Sequence, residues 1–182
     1  MILSKIVKPI YEIGAEMMVQ KTKKFIVGER ILDFGCGSGI FGKKVKENLK
    51  KEIIGIDIVD KRLCEIPFKI YNGKEIPFPD NHFDLVLVAF VLHHTKDPLS
   101  ILKEIKRVGK RIIIFEDLPE GIIGKLYCCF HWLMWNLFFG KSPKFNFHTS
   151  KEWREIFKNL GLELISENEF FFKRKFFVLE KV

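Results

Sequence analysis

The sequence predicts an open, mostly parallel α/β sheet, doubly wound with helices on both faces. Three observations predict it. Short, near-continuous apolar runs alternate with segments whose apolar residues recur at helical spacing. The first such run ends in a glycine-rich turn that opens a helix. Finally, 182 residues with 47% apolar and 30% charged content suffice for one hydrophobic core without disulfide or metal support. Alternation of this kind favours parallel strands joined by crossover helices. We read 1–182 as a single domain without repeats or linkers.

Ile6, Ile10, Ile13 and Met17 recur at helical spacing and predict an amphipathic helix over 9–24, with Pro9 in its first turn, lying outside the core unit. RILDF is the first strand, and Phe41, Val45 and Leu49 mark one face of the helix after the glycine turn. KEIIGID, FKIYN and FDLVLVAF supply three further strands. Asp97-Pro98 starts a helix, with Asp97 as cap, and Ile101, Leu102, Ile105 and Val108 share its buried face. RIIIFED is the fifth strand. Thr149 and Glu152 form a capping box for a helix carrying Trp153, Ile156, Phe157 and Leu160, which stops at Gly161. LELIS and KFFVLEK close the chain as β-type segments.

On such a sheet, ligands bind at the carboxyl ends of the strands. The turn in ILDFGCGSGIFG carries two glycine patterns. Gly37, Gly39 and Gly42 have dinucleotide spacing, whereas Gly35, Gly37 and Gly39 follow Asp33. A carboxylate beside a pyrophosphate is unfavourable, but it suits a ligand bearing a sulfonium and an ammonium, as S-adenosylmethionine does. Asp57, at the end of the second strand, suits the ribose hydroxyls of either NAD or S-adenosylmethionine and does not separate them.

Lys and Arg exceed Asp and Glu by 31 to 23, a net charge of +8 that favours anionic partners. The surplus is scattered in short clusters broken by acids, so a nucleic-acid partner is the disfavoured alternative. Cys36, Cys64, Cys128 and Cys129 form no C-x-x-C pair and no zinc-ligand spacing. No metal and no disulfide are therefore expected, and without a signal-type start the expected location is cytoplasmic.

The stretches ILDFGCGSG, IIGIDI, EIPFPDNHFDLVLVAFVLHH and DPLSILKEIKRV with RIIIFED resemble the class I S-adenosylmethionine-dependent methyltransferases, in their broad small-molecule type. The resemblance covers roughly 28–118. It implies a Rossmann-like, seven-stranded sheet whose last strand is antiparallel. It implies that Gly35, Cys36, Gly37 and Gly39, with Asp33 beside them, cradle the methionine part, that Asp57 binds the ribose, and that Ile58 packs on the adenine. Ala89 would lie beside the methionine. Asn72 stands where the family usually has an aspartate for the adenine amino group, and its amide oxygen is expected to accept that bond. This divides the domain into an N-terminal helix (1–27), a cofactor-binding core (28–118), an apolar lid-like insertion (119–149) and a C-terminal helix with two strands (150–182).

In-line methyl transfer chiefly requires alignment of the nucleophile, so a dedicated catalytic residue is not obligatory. Where a base helps, His94, His93 and Glu116 lead the candidates by their position after strands four and five, with His131 and His148 further along. Packing or capping at the strand ends is the competing reading for the histidines. The segment IIGKLYCCFHWLMWNLFFGK is apolar nearly all round and reads as a buried or interfacial helix, not a membrane span. Lys125, Lys141 and Lys144 flank it and leave peripheral contact with an anionic membrane open. A hydrophobic small-molecule acceptor is favoured. RNA or another polyanion, and a non-catalytic cofactor-binding subunit, are the alternatives.

Overall fold

The computed structural model describes residues 2–139 and 146–182, with side chains described for 8–137 and 146–182. Seven strands form one sheet: β1 (Arg30–Phe34), β2 (Glu52–Asp57), β3 (Phe68–Ile70), β4 (Phe83–Ala89), β5 (Gly109–Asp117), β6 (Leu162–Phe171) and β7 (Arg174–Lys181). Their order is β3-β2-β1-β4-β5-β7-β6. Strands β1 to β5 pair in parallel, and β7 runs antiparallel between β5 and β6. The Rossmann-like, doubly wound expectation holds, including the antiparallel last strand. The order reverses at β1, so the ends of β1 and β4 flank the crevice where such sheets take ligands.

Alternate residues of the strands serve two apolar layers, as a pleat of period two requires. Leu32, Phe34, Val86, Val88, Ile112 and Ile114 face α3 (Pro98–Val108) and α5 (Ser150–Asn159). Ile31, Leu85, Leu87, Ile113 and Phe115 face α2 (Ile40–Leu49) and, beyond it, α1 (Ile2–Thr22). The capping expectations hold: Asp97 accepts the Ser100 amide at 3.0 Å, and Thr149 with Glu152 completes a reciprocal capping box.

Two expectations for α1 are corrected. It runs from Ile2 with Pro9 inside it, not in its first turn, and it presents a different face to the protein. Ile10 and Ile13 are 67% and 65% exposed, whereas Ala15, Met18 and Val19 belong to the core beneath α2. Both stripes have helical spacing. The small Ala15 permits close approach to α2, and Glu16 accepts from Asn48 at 3.0 Å, which fixes the rotation of the helix.

Helix α4 (Gly121–Phe139) is inverted relative to a surface helix. Its inward side carries Cys128, Tyr127 and His131, while Ile122, Leu126, Phe130, Leu133 and Leu137 form an exposed stripe at spacings of three and four residues. Lys141, Lys144 and the side chains of Ile6, Phe138 and Phe139 lie outside the described residues.

Candidate functional site

The glycine turn leaves β1 with Gly35, Gly37 and Gly39 at φ of 64°, 48° and 72°, values that side chains rarely adopt. A Cβ on Gly35 would come 2.6 Å from Val91, whereas above Gly37 nothing but the Gly35 carbonyl lies within 4 Å. The loop therefore combines tight seating with open space at its crest. Cys36 sits beneath it: its amide donates to the Ile56 carbonyl, and its sulfur packs against Gly55. Burial pushes the Cys36 thiol up, so it stays protonated and unreactive.

Asp33 lies under the loop and accepts the Gly42 amide at 3.1 Å. Burial, with a smaller push from the Asp57 charge, raises its pKa to about 7 against the lowering effect of that hydrogen bond. Gly42 is required there, because a Cβ would stand 2.7 Å from Asp33 Oδ2 and 3.1 Å from Ile53.

Asp57 ends β2. Its Oδ2 accepts the Gly37 amide at 2.9 Å and its Oδ1 the Ile58 amide at 2.7 Å, which leaves acceptor capacity on both oxygens. Ile58 is 63% exposed beside Gly73. Asn72 uses its amide oxygen to accept Lys74 and Glu75 amides at 2.9 and 3.0 Å. Those two donors fix the orientation of the carboxamide and commit the oxygen expected to meet an adenine amino group.

Ala89 closes β4. Phe90 follows at φ 58°, a left-handed conformation that a bulky residue keeps only where its surroundings hold it. Its amide donates to the Phe115 carbonyl, and the guanidinium of Arg174 lies 5.0 Å from its ring centroid. A 3-10 turn, Leu92–His94, then carries both histidines.

Glu116 is buried, accepts the Leu92 amide at 2.9 Å, and makes a very short contact with His93 Nδ1. Burial opposes a charged His93, but the Glu116 carboxylate outweighs it and raises the imidazole pKa. His94 stacks on Trp135 at 3.9 Å, and burial with the neighbouring imidazoles lowers its pKa to about 3. It is therefore neutral at physiological pH and a weak base, which favours a positioning or liganding role over proton abstraction.

Spacing alone did not single out a network behind this cluster. Asp117 accepts from Arg174 Nε at 2.7 Å and pairs with His131 Nδ1 at 2.6 Å, while Arg174 also donates to Tyr127. Burial alone would raise Asp117, but His131 and the Arg174 charge hold it below the usual carboxylate range. His93, His94 and His131 thus meet at the ends of β4 and β5. His148 packs against Trp153 at the start of α5.

A seven-stranded sheet of this order, with a glycine loop after β1 and an acidic end to β2, defines the class I nucleoside-cofactor methyltransferases. Residues 15–167 match the model of a family described as a methyltransferase domain, and the chain belongs to that family. It is a class I S-adenosylmethionine-dependent methyltransferase. An uncharacterised protein of Methanocaldococcus jannaschii is 33% identical over 171 residues, covering 89% of this chain and 78% of its own. The demethylmenaquinone methyltransferase of Thermotoga maritima is 30% identical over 170 residues, covering 79% of this chain and 74% of its own. Among solved structures, a chain from the complex of the Haloferax volcanii Trm112 methyltransferase activator with a methyltransferase candidate superimposes with a TM-score of 0.77. That likeness has 15% identity and covers 98% of this chain and 93% of the other, and it speaks for the fold. Among the described residues, no helix is long and apolar enough to cross a membrane.

Proposed function

We propose that this methyltransferase acts on a hydrophobic small molecule with an oxygenated ring, of the quinol type. The observation that carries the proposal is the aromatic cluster at the ends of β4 and β5. Trp135 stacks on His94 and Phe147 on His93, beneath a helix whose outer stripe is apolar. The name of the Thermotoga maritima relative points the same way.

The donor side fits S-adenosylmethionine. Open space above Gly37 receives the methionine part, with Gly35, Cys36 and Gly39 shaping the turn and Ala89 at its side. Asp33 supports the loop from below through Gly42 and adds negative charge toward a cation. Asp57 has lone pairs left for two ribose hydroxyls, and the exposed Ile58 offers a face for the adenine. Asn72 contributes through its NH2 group, which suits an adenine ring nitrogen. The bound sulfonium supplies an electrophilic methyl group, and the protein's part is to align the acceptor about 3–3.5 Å from it and exclude water. His94 and His93, held by Glu116, define the acceptor end, and α4 closes over it as a lid. The stripe from Ile122 to Leu137 rests on the lipid surface from which such an acceptor is drawn.

The test is transfer of a radiolabelled methyl group to demethylated isoprenoid quinols in micelles, run beside total RNA across a salt series. Labelled quinol with little salt dependence is expected. Labelled RNA, with affinity falling steeply in salt, overturns the acceptor assignment.

A further inference from the structure

We infer that His93, His94 and His131 form a site for one divalent transition-metal ion of the zinc type, at the carboxyl ends of β4 and β5. One ring nitrogen from each lies within 4.8 Å of the other two. The residues come from two elements, the 3-10 turn after β4 and the middle of α4, which the fold brings together at the carboxyl ends of β4 and β5. Tetrahedral zinc–nitrogen bonds of about 2.0–2.1 Å set ligand nitrogens about 3.3–3.4 Å apart, so on binding the cluster would draw together by up to about 1.5 Å.

A second observation points to a ligand independently. His93 is 1% exposed, its Nδ1 is committed to Glu116, and its Nε2 has no hydrogen-bond partner among the described residues. A buried ring nitrogen left without a partner has lost its hydration with nothing in return, which is costly. An ion bonded to Nε2 would remove that cost.

The outer shell has the arrangement that metal-bound imidazoles use. Each ligating histidine in such sites commonly gives its other nitrogen to a carboxylate, which fixes the ring and its tautomer. Here Glu116 holds His93 and Asp117 holds His131 at 2.6 Å. With the imidazoles neutral, as ligation requires, the two buried carboxylates and the one guanidinium of Arg174 leave a net charge of about −1 to balance part of the ion's charge. An all-imidazole set suits zinc, copper, iron or nickel better than magnesium or calcium. Three protein ligands leave a coordination position open. That position suits a hydroxyl or enolate oxygen of the acceptor, which the ion would orient and polarise. This use of the ion rests on the acceptor reading above, whereas binding of the ion does not. Sequence spacing hides the site, since two ligands are adjacent and the third lies on a distant helix.

The test uses the full chain, stripped by chelator and titrated with Co2+ alone. The expected result is the visible d–d spectrum of four-coordinate Co2+, saturating at one ion per chain and displaced by Zn2+. His94→Gln and His131→Ala should each weaken Co2+ binding by about tenfold or more. His82→Ala, on a histidine stacked on Phe78 and edge-to-face with Phe83, should leave it unchanged. Circular dichroism checks that each variant is folded, and the wild-type titration decides even if His131→Ala does not fold. Absence of a saturable Co2+ spectrum in folded wild-type protein overturns the proposal, as does undiminished binding in folded His94→Gln. Methyl transfer is not part of this readout, so failure of metal binding leaves the acceptor reading standing, and the reverse.

Discussion

The Gly37 amide hangs from Oδ2 of Asp57 at 2.9 Å, so the crest of the glycine loop is tied to the last residue of β2. The same carboxylate positions the loop and, in the proposed cofactor site, receives the ribose. Asp57→Ala should therefore lose both and weaken S-adenosylmethionine binding by about 10- to 100-fold, or about 1.4–3 kcal/mol by titration calorimetry. Affinity within a factor of two of wild type would remove Asp57 from the proposed cofactor site.

Gly42 sits where β1 and α2 touch. Gly42→Ala adds a Cβ 2.7 Å from Asp33 Oδ2 and should destabilise the protein by about 1–3 kcal/mol despite alanine's better helix propensity. Urea unfolding measures it, and an unchanged midpoint would contradict the packing.

Asp33 gives stability a particular pH dependence. Its pKa rises from 3.8 to about 7 in the fold, so the native state holds a proton that the unfolded chain releases first as pH increases. Its contribution is fully present below about pH 4, drains between about pH 4 and 7, and is constant above. Asp33→Asn keeps an acceptor for Gly42 and should flatten that decline, gaining up to about 2–4 kcal/mol over wild type at pH 8 relative to pH 4. Parallel urea curves at the two pH values test the sign.

Arg174→Met leaves Asp117 with His131 and a long contact to the Tyr127 hydroxyl at 3.5 Å. A loss of about 2–3 kcal/mol is expected at pH 7. Because Asp117 is held below its ordinary range, its stabilisation exists above the unfolded carboxylate pKa and disappears as pH falls through the native value. The penalty of the substitution should therefore shrink in acid, as read from thermal melts at pH 7 and pH 3.

The outer stripe of α4 contributes little to folding. Leu126→Gln combined with Leu133→Gln should change stability by no more than about 0.5 kcal/mol per site. The same pair should reduce co-sedimentation with anionic phospholipid vesicles. Equal vesicle binding would leave the stripe without the proposed lipid contact.

Signals confined to a few neighbouring residues were legible in the sequence. Asp97-Pro98, the Thr149 and Glu152 box and the loop of Gly35, Gly37 and Gly39 all act through their own backbone, and each took its expected form. The α/β alternation fixed the sheet for the same reason. What was not legible depends on distant partners. The two stripes of α1 are equivalent until α2 selects one. The commitment of the Asn72 oxygen depends on which way the chain turns at Gly73. The ring of Asp117, His131, Tyr127 and Arg174 joins β5, α4 and β7, and its members on different elements are ten to 57 residues apart. Periodicity carries no information at that range.

The placement of β7 has a further consequence for how the molecule is assembled. β5 acquires its second neighbour from a strand 57 to 69 residues downstream, after α4, α5 and β6 have intervened. Until then, the edge running from Arg111 to Phe115 is an unpaired, largely apolar strand open to any other extended chain. Closing so long a loop is entropically slow, so pairing of β7 with β5 is expected to come late in folding. The same pairing delivers Arg174 to Asp117, so the cluster at the ends of β4 and β5 is completed only when the sheet itself is sealed.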